Sequence, residues 1–465
     1  MREIHYKKPK KLRKDKKEAE SKQLVKSILT DFEQRKIARR AIENQWRLNL
    51  DFYAGRQNTV LTSFDTIVTV PKQFFWQSNQ SFNHIAGVVE SRLAKITGSE
   101  AEVEPVVEDE GQAEKCKEIL NSVFEKQDFA DLTEQATMWS EVTGTAFYKV
   151  MWEAHDVSIR VCSPFEIYPD CLDLGDMGDV TSLVHAKNMT VAQIKENWDI
   201  DLSGYGEKEL TVVEYHEVSS KQFPNGRLVI IAGESLLHEG ELPYINQKDG
   251  IRGLPFIRQT SEGFLGNFFG RSVVERAIPV QRAYNSIKNR KVEFLNRLAC
   301  GVLVAEEGSI DLESLEEDGL APGKVIVYRH GTTPPRFLDT GTIPTELERE
   351  EDRLLREFEL ISGGGEVARL DGASSSGLAL SILAEQSDRR MSRVIASVHR
   401  AKANVASHVL RLVKQFKREN IDCDSVKISK VASLCLECES EILPETTEVV
   451  TSEKTTKEEL CKICD

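Results

Sequence analysis

Between residues 269 and 416 the chain passes through a basic amphipathic helix, a strand-rich island, an acidic amphipathic helix, a Gly/Ser loop and a very long helix. Over 272–298, Val273, Ala277, Val280, Tyr284, Ile287, Phe294 and Leu298 recur at helical spacing, while Arg276, Arg282, Lys288, Arg290, Lys291 and Arg297 take the other faces. Pro279 sits where it starts or kinks the regular part, and the segment would span about 40 Å. Over 345–361, Leu347, Leu354, Phe358 and Ile361 form the stripe, and Glu346, Glu348, Glu350, Glu351, Asp352, Glu357 and Glu359 outnumber Arg349, Arg353 and Arg356. Between the two, strands are expected at 301–305, 324–329 and 336–338, separated by turn-rich sequence. A basic strut and an acidic strut joined by a small β module make a hairpin whose helices can pair by charge within or between subunits. Each exposed pair is worth about 0.2–1 kcal/mol, enough to set register. The pattern at 378–418, from Leu380 to Leu412, predicts one helix of about 60 Å. Each helix has a single apolar stripe, so its burial partners are expected to be helices, in the same chain or in copies beside it. This is the pattern of a structural oligomer.

At 465 residues the chain is long enough for about three modules. Its longest uncharged apolar stretch, 298–305, is far below the roughly 20 residues that cross a bilayer, and no signal-peptide pattern opens the chain. A soluble, intracellular protein is expected. The net charge of -14 argues against a surface that grips nucleic acid broadly. Residues 1–17 nevertheless hold nine Lys or Arg against Glu3 and Asp15. They read either as a solvated tail or as an arm that touches DNA or a partner.

The remaining pattern predicts an α+β region. Helices are expected at 27–52, 83–96, 114–127, 131–143 and 191–198, and strands at 146–151, 157–161, 163–170, 210–218, 228–232 and 254–259. The run Phe74, Phe75, Trp76 is read as core rather than as a binding surface, and the acidic stretch 100–110 is given no regular structure.

Cys435, Cys438, Cys461 and Cys464 form two C-x2-C pairs 22 residues apart. Four thiolates so spaced can surround a tetrahedral zinc ion; reduced free thiols and disulfides are the other two readings. Cys116, Cys162, Cys171, Cys300 and Cys423 are scattered and read as reduced, mostly buried residues. His84, His155, His185, His216, His238, His330, His399 and His408 show no ligand spacing with carboxylates or cysteines. The segment from Gly266 to Ser272 falls one residue short of a phosphate-binding loop and has Arg271 where such loops carry Lys. No catalytic residues are assigned, and an enzyme is not expected.

The order of parts resembles that of bacteriophage portal proteins, the head-to-tail connectors at one capsid vertex. The residues that carry the resemblance are Trp46 with Phe52-Tyr53-Ala54-Gly55-Arg56-Gln57, the helix at 83–92, and the strand exit at 163–170. With them go Gly270-Arg271-Ser272-Val273-Val274-Glu275 with Pro279, Gln281 and Asn285, and Ser376-Gly377-Leu378-Ala379-Leu380 with Glu385-Gln386. The likeness covers about 25–418.

Beyond a basic flexible arm (1–25), read from its charge, it implies a wing (26–270), a first stem helix (271–300) and a clip (301–343). A second stem helix (344–361), a tunnel loop (362–377) and a wing or crown helix (378–420) would follow; 421–465 would extend the crown, and the possible zinc ribbon there rests on the cysteine spacing and not on the resemblance. It further implies a ring of about twelve copies passing double-stranded DNA. Terminase, head-completion or adaptor and tail proteins, and the major capsid and scaffolding proteins would be its partners, with no membrane. Gly363, Gly364, Gly365, Glu366, Arg369, Ser374, Ser375 and Ser376 would form the tunnel loop. Arg369 would touch DNA or pair with Glu366 or Asp371. Glu346, Glu350 and Glu357 would lie nearer the channel axis than Lys288 or Arg290. The rival reading is a zinc-containing, nucleic-acid-binding regulator.

Overall fold

The computed structural model describes residues 14–442 apart from 65, 73, 75–76, 100, 108, 203–207, 246–251, 301–302, 312, 314, 316–324, 339–342, 364–376, 418–425, 431–432 and 435–440. Helix α1 (Lys14–Tyr53) is followed by strands β1 (Thr59–Leu61) and β2 (Ile67–Thr69), helix α2 (His84–Thr97) and strand β3 (Ala101–Pro105). Helices α3 (Glu110–Lys126) and α4 (Phe129–Thr143) precede strands β4 (Thr145–Glu153), β5 (Asp156–Cys162), β6 (Ile167–Pro169) and β7 (Ser182–Thr190). Helix α5 (Val191–Trp198) leads to β8 (Glu209–Glu217), β9 (Arg227–Ala232), β10 (Ser235–Gly240) and β11 (Phe256–Thr260). Then come helix α6 (Val273–Cys300), β12 (Leu303–Val304), β13 (Arg336–Phe337), helix α7 (Thr345–Ser362) and helix α8 (Gly377–Lys417). Strands β14 (Val426–Lys430), β15 (Ser433–Leu434) and β16 (Glu441–Ile442) close the described part. At 50% helix and 22% strand the chain is α+β.

Two antiparallel sheets organise the middle of the chain, one in the order β10-β9-β8-β7-β6 and one in the order β11-β4-β5. On the larger sheet, Val184, Val213, Val229 and Ile231 cluster with Val25, Ile28 and Phe32 of α1, while Val212, Leu228 and Ile230 on its other face meet Ile194 of α5 with Leu202 and Leu242. Strand alternation divides these two sets, as a sheet covered on both faces requires. Against the smaller sheet pack α3, α4 and the C-terminal half of α8, through Leu120, Phe129, Ala146, Tyr148, Val405, Val409 and Leu412. Arg39 of α1, fully buried, ties the helix to the turn between the sheets. Its guanidinium donates to the carbonyl oxygens of Pro164 (2.9 Å) and Phe165 (2.8 Å) and lies 3.5 Å from the centre of the Tyr168 ring.

Several expectations change. Helix α1 begins at Lys14 rather than at residue 27, because Lys- and Glu-rich sequence favours helix and Val25 and Ile28 find the sheet. The basic arm expected over 1–25 is thus helical in its second half; residues 1–13 lie outside the described residues. The acidic stretch contains β3, which pairs with β14 in a register that sets Val103 opposite Ile428. Strands β7 and β10 were not expected. In β7 the charged and polar residues Lys187, Asn188 and the inward His185 break the alternation that marks a strand. Helix α8 buries its C-terminal half mainly against a sheet, where helices were expected. Phe74, expected in the core, is 55% exposed; Phe75 and Trp76 lie outside the described residues. Cys116 and Cys162 are buried as expected, whereas Cys171 is exposed. The side chain of Cys300 and all of Cys423 lie outside the described residues. No helix among the described residues is long and apolar enough to cross a membrane.

Candidate functional site

Two glycines let the chain pass from the smaller sheet into α6. A Cβ on Gly270 would stand 2.5 Å from the carbonyl oxygen of Gly144, and Gly144 itself has a φ of +94° at the end of α4. The amide of Gly270 donates to Thr145 Oγ1 (2.8 Å). Ser272 Oγ accepts from the Val274 amide (2.9 Å) and donates to the Glu141 carbonyl oxygen (2.8 Å). The fully buried Glu141 carboxylate receives Arg92 Nε at 2.5 Å and Ser261 Oγ at 2.6 Å. Breaking this pair from one side would leave an uncompensated buried charge, so the start of α6 is fixed relative to α2, α4 and β11.

Along α6 a second device holds an extended segment. Glu293 Oε1 accepts from the Ser78 amide (2.9 Å), and Asn289 Oδ1 from the Gln80 amide (2.9 Å). Asn285 Oδ1 accepts from the Phe82 amide (3.0 Å), and Gln281 Oε1 from the amides of His84 (3.0 Å) and Ile85 (3.3 Å). The amide nitrogens of Asn289 and Gln281 return bonds to the carbonyl oxygens of Gln80 (2.9 Å) and Phe82 (2.7 Å). Four helical residues rise about 6.0 Å and two extended residues about 6.6 Å, so acceptors at every fourth position meet amides at every second. The helix side chains thus stand in for a neighbouring β-strand, and Gln281 also supplies partners to the first two amides of α2. Gln281 and Asn285 entered the sequence reading only through the resemblance. The four-residue spacing of Gln281, Asn285, Asn289 and Glu293 was the signal that could have found the ladder.

Helices α6 and α7 pack against each other. At their base Leu354 and Phe358 of α7 are buried with Val273, Ala277 and Tyr284 of α6 and with α2. Farther along, Lys288 pairs with Glu351, and Lys291 lies 3.3 Å from Glu351 and 3.8 Å from Glu348. The basic and acidic struts therefore pair within one chain. Burial alone would raise the Glu351 carboxyl, but hydrogen bonds from Lys288 and Lys291 hold it below the ordinary value, and the same bond to Glu351 raises Lys288. With 3.6 residues per turn, Glu346, Glu350 and Glu357 fall on one face of α7, away from the face that Glu348 and Glu351 turn to α6. Glu350 and Glu357 both neighbour Arg353, at 3.6 and 3.7 Å. Arg282 donates to the Thr59 carbonyl oxygen (3.1 Å) over the Phe52 ring, and burial lowers its pKa; Arg290 is exposed. The far end of the hairpin is exposed and apolar: Leu298 is 49% exposed, Val327 80% and Phe337 61%. Gly363 ends α7 in the left-handed conformation (φ +77°). Gly364, Gly365, Glu366, Arg369, Ser374, Ser375 and Ser376 lie outside the described residues, as do Cys435, Cys438, Cys461 and Cys464.

Residues 207–420, which run from β8 through the hairpin to the end of α8, match the family model of the phage P22-like portal protein. That stretch is similar to the phage portal-protein domain. No curated protein matches the chain. Portal proteins are structural rather than catalytic, and the resemblance read from the sequence is supported over the part that carries the hairpin. Residues 25–206, where the resemblance rested on Trp46, the segment at 52–57, the helix at 83–92 and the strand exit at 163–170, lie outside the match.

The matched stretch contributes one wall of a cavity of about 600 Å³ between the two sheets. Here the histidines contradict the sequence expectation. His185 of β7 lies 3.3 Å through Nε2 from Glu166 and 3.3 Å through Nδ1 from Glu214 of β8. Lys149 of β4 donates to Glu214 (2.6 Å) and also stands 3.3 Å from His185 Nδ1. His216 Nε2 is 3.3 Å from the same Glu214 oxygen, and its buried Nδ1 has no partner among the described residues. Burial and Lys149 would both lower His185, but Glu214 and hydrogen bonds to Cys162 and Glu166 outweigh them and raise it to about 10. Lys149 and His185 hold Glu214 well below the ordinary value against burial, while burial lowers His216. Cys162, Glu166 and His185 each offer one ligand atom within 4.8 Å of the others. They come from three separate elements, which is why spacing along the chain concealed them.

Proposed function

We propose that this chain is the protomer of a phage portal, a ring of about twelve copies at one capsid vertex that passes double-stranded DNA during packaging and ejection. The observation that carries this reading is the portal-family match, which spans a hairpin anchored at its base and left apolar at its far end. A monomer has no use for Leu298, Val327 and Phe337 in water, whereas a ring buries such residues between neighbours. In this reading 26–270 is the wing, α6 and α7 the stem, 301–343 the clip, 362–377 the tunnel loop and α8 the wing or crown helix, with 421–465 beyond it. The face of α7 that bears Glu346, Glu350 and Glu357 turns toward the bore, where like charge lets DNA slide without the salt-dependent grip of Lys and Arg. Arg369 of the tunnel loop is the candidate DNA contact. Terminase, adaptor and tail proteins and the capsid and scaffolding proteins would dock on the outside of the ring, and the assembled protein would reside in the virion.

Negative-stain images of the purified protein, with mass from light scattering, test the reading. Annular particles of about twelve chains are expected; monomers or dimers under all salt conditions, and with scaffolding or capsid protein present, would rule it out. Cys435, Cys438, Cys461 and Cys464 would hold a structural zinc in the crown extension, which elemental analysis checks as about one ion lost on C435S/C438S/C461S/C464S substitution. The rival regulator reading is not favoured, given the family match and the net charge of -14.

A further inference from the structure

We propose that Cys162, Glu166 and His185 form a binding site for a single divalent transition-metal ion of the zinc type, which staples the two sheets of the wing together. Cys162 ends β5 in the smaller sheet, His185 lies on β7 in the larger one, and Glu166 sits in the turn between them. Sulfur, imidazole and carboxylate are the ligand set zinc takes, and three protein ligands leave a fourth position. With zinc about 2.0–2.1 Å from nitrogen and oxygen, tetrahedral geometry sets those two donors about 3.3 Å apart. The separation of His185 Nε2 and Glu166 Oε2 is 3.3 Å.

The surroundings are arranged around the same atom. A metal-bound imidazole usually donates its other ring N–H to a carboxylate, which fixes the tautomer and the ring plane. Glu214 stands 3.3 Å from His185 Nδ1, and it is itself held by Lys149 at 2.6 Å and His216 at 3.3 Å. Lys149 lies 3.3 Å from Nδ1 as well, but its proton has the Glu214 carboxylate to go to. His216, whose buried Nδ1 is without a partner among the described residues, marks the same wall as one built for polar contact. The cavity opens on this cluster and gives an ion a way in and room for a water as fourth ligand.

A metal ion takes the imidazole neutral and the thiol as thiolate, so binding at these three ligands would be coupled to proton release. The staple would fix the angle between the two sheets, and so the attitude of the wing.

The test uses the full chain carrying C435S/C438S/C461S/C464S, which removes the other candidate ligands, stripped with a chelator and titrated with Co²⁺. About one ion per chain is expected, with a thiolate-to-cobalt absorption band and a raised melting temperature. Cys162→Ser should abolish the band and the thermal shift. His185→Gln, which keeps the thiol, should weaken binding at least tenfold, and Glu214→Gln by roughly 10–100-fold as a positioning residue. Uptake well below one ion per chain, or a band unmoved by Cys162→Ser in a variant whose metal-free circular dichroism matches the parent, would overturn the site. So would His185→Gln binding as tightly as the parent. None of these outcomes bears on ring formation, so the proposal fails or stands apart from the portal reading.

Discussion

Burial holds the imidazole of His408 neutral in the core between α8 and Tyr244, with Arg411 adding to the effect; its pKa falls to about 3 from an ordinary 6.5. Its Nε2 has no partner among the described residues. On acidification the unfolded chain takes up a proton that the folded chain refuses, so this contribution to stability is whole above pH 6.5 and shrinks as pH falls toward 3. The loss amounts to about 2–3 kcal/mol by about pH 4.5. Urea unfolding across that window should show a smaller acid-side loss for His408→Leu than for the parent; equal slopes would contradict the assignment. Asn285 is a second residue where one atom matters. Asn285→Ala would leave the Phe82 amide and the side-chain Oε1 of Gln57 without the bonds Asn285 makes to them inside the protein, and a loss of about 1–3 kcal/mol is expected. The exposed Asn296→Ala, on the same helix, should be near neutral in the same urea experiment. The role of His408 was not legible in sequence, because a buried His looks like any other until the atoms around it are placed; that of Asn285 left only its four-residue spacing from Gln281 and Asn289.

At the level of elements, the amphipathic helices were readable and their seams were not. Periodicity placed α5 at 191–198 and α7 and α8 within a residue or two, since a single apolar stripe leaves little choice of period. The opposite charges of the struts showed that they could pair within or between subunits, and the structure pairs them within one chain. Lys288→Glu would set a like charge against Glu351 and should cost about 1 kcal/mol in thermal unfolding, with K288E/E351K recovering most of it. No recovery would mean that packing of Tyr284 and Phe358, rather than charge, sets the register of the hairpin. The strands fared worse. β3 and β14 pair across more than 300 positions; each is a short alternating run of five residues, and nothing local tells such a run which distant strand it meets. β7 carries His185 inward to a polar cluster, and a polar residue on a buried face is what breaks an alternating pattern.

For the whole molecule, the tip of the hairpin is where the fold and the proposed assembly meet. Leu298→Ser with Val327→Ser changes two exposed residues, so stability of the isolated chain should shift by no more than about 0.5 kcal/mol. Ring formation, followed by sedimentation velocity, should nevertheless fall sharply. Unchanged ring yield would place the subunit contacts elsewhere on the chain.

The sequence by itself determined the α+β class, the long helices, the opposite charge of the two struts and the likeness to portal proteins, because period, charge and order are properties of a line of residues. Only the tertiary structure decided that α8 lies on a sheet and that α6 grips residues 78–85 by a polar ladder. It also decided that Cys162, Glu166 and His185 share one corner of a cavity. Those facts depend on which distant segments meet, and distance along the chain carries no record of it.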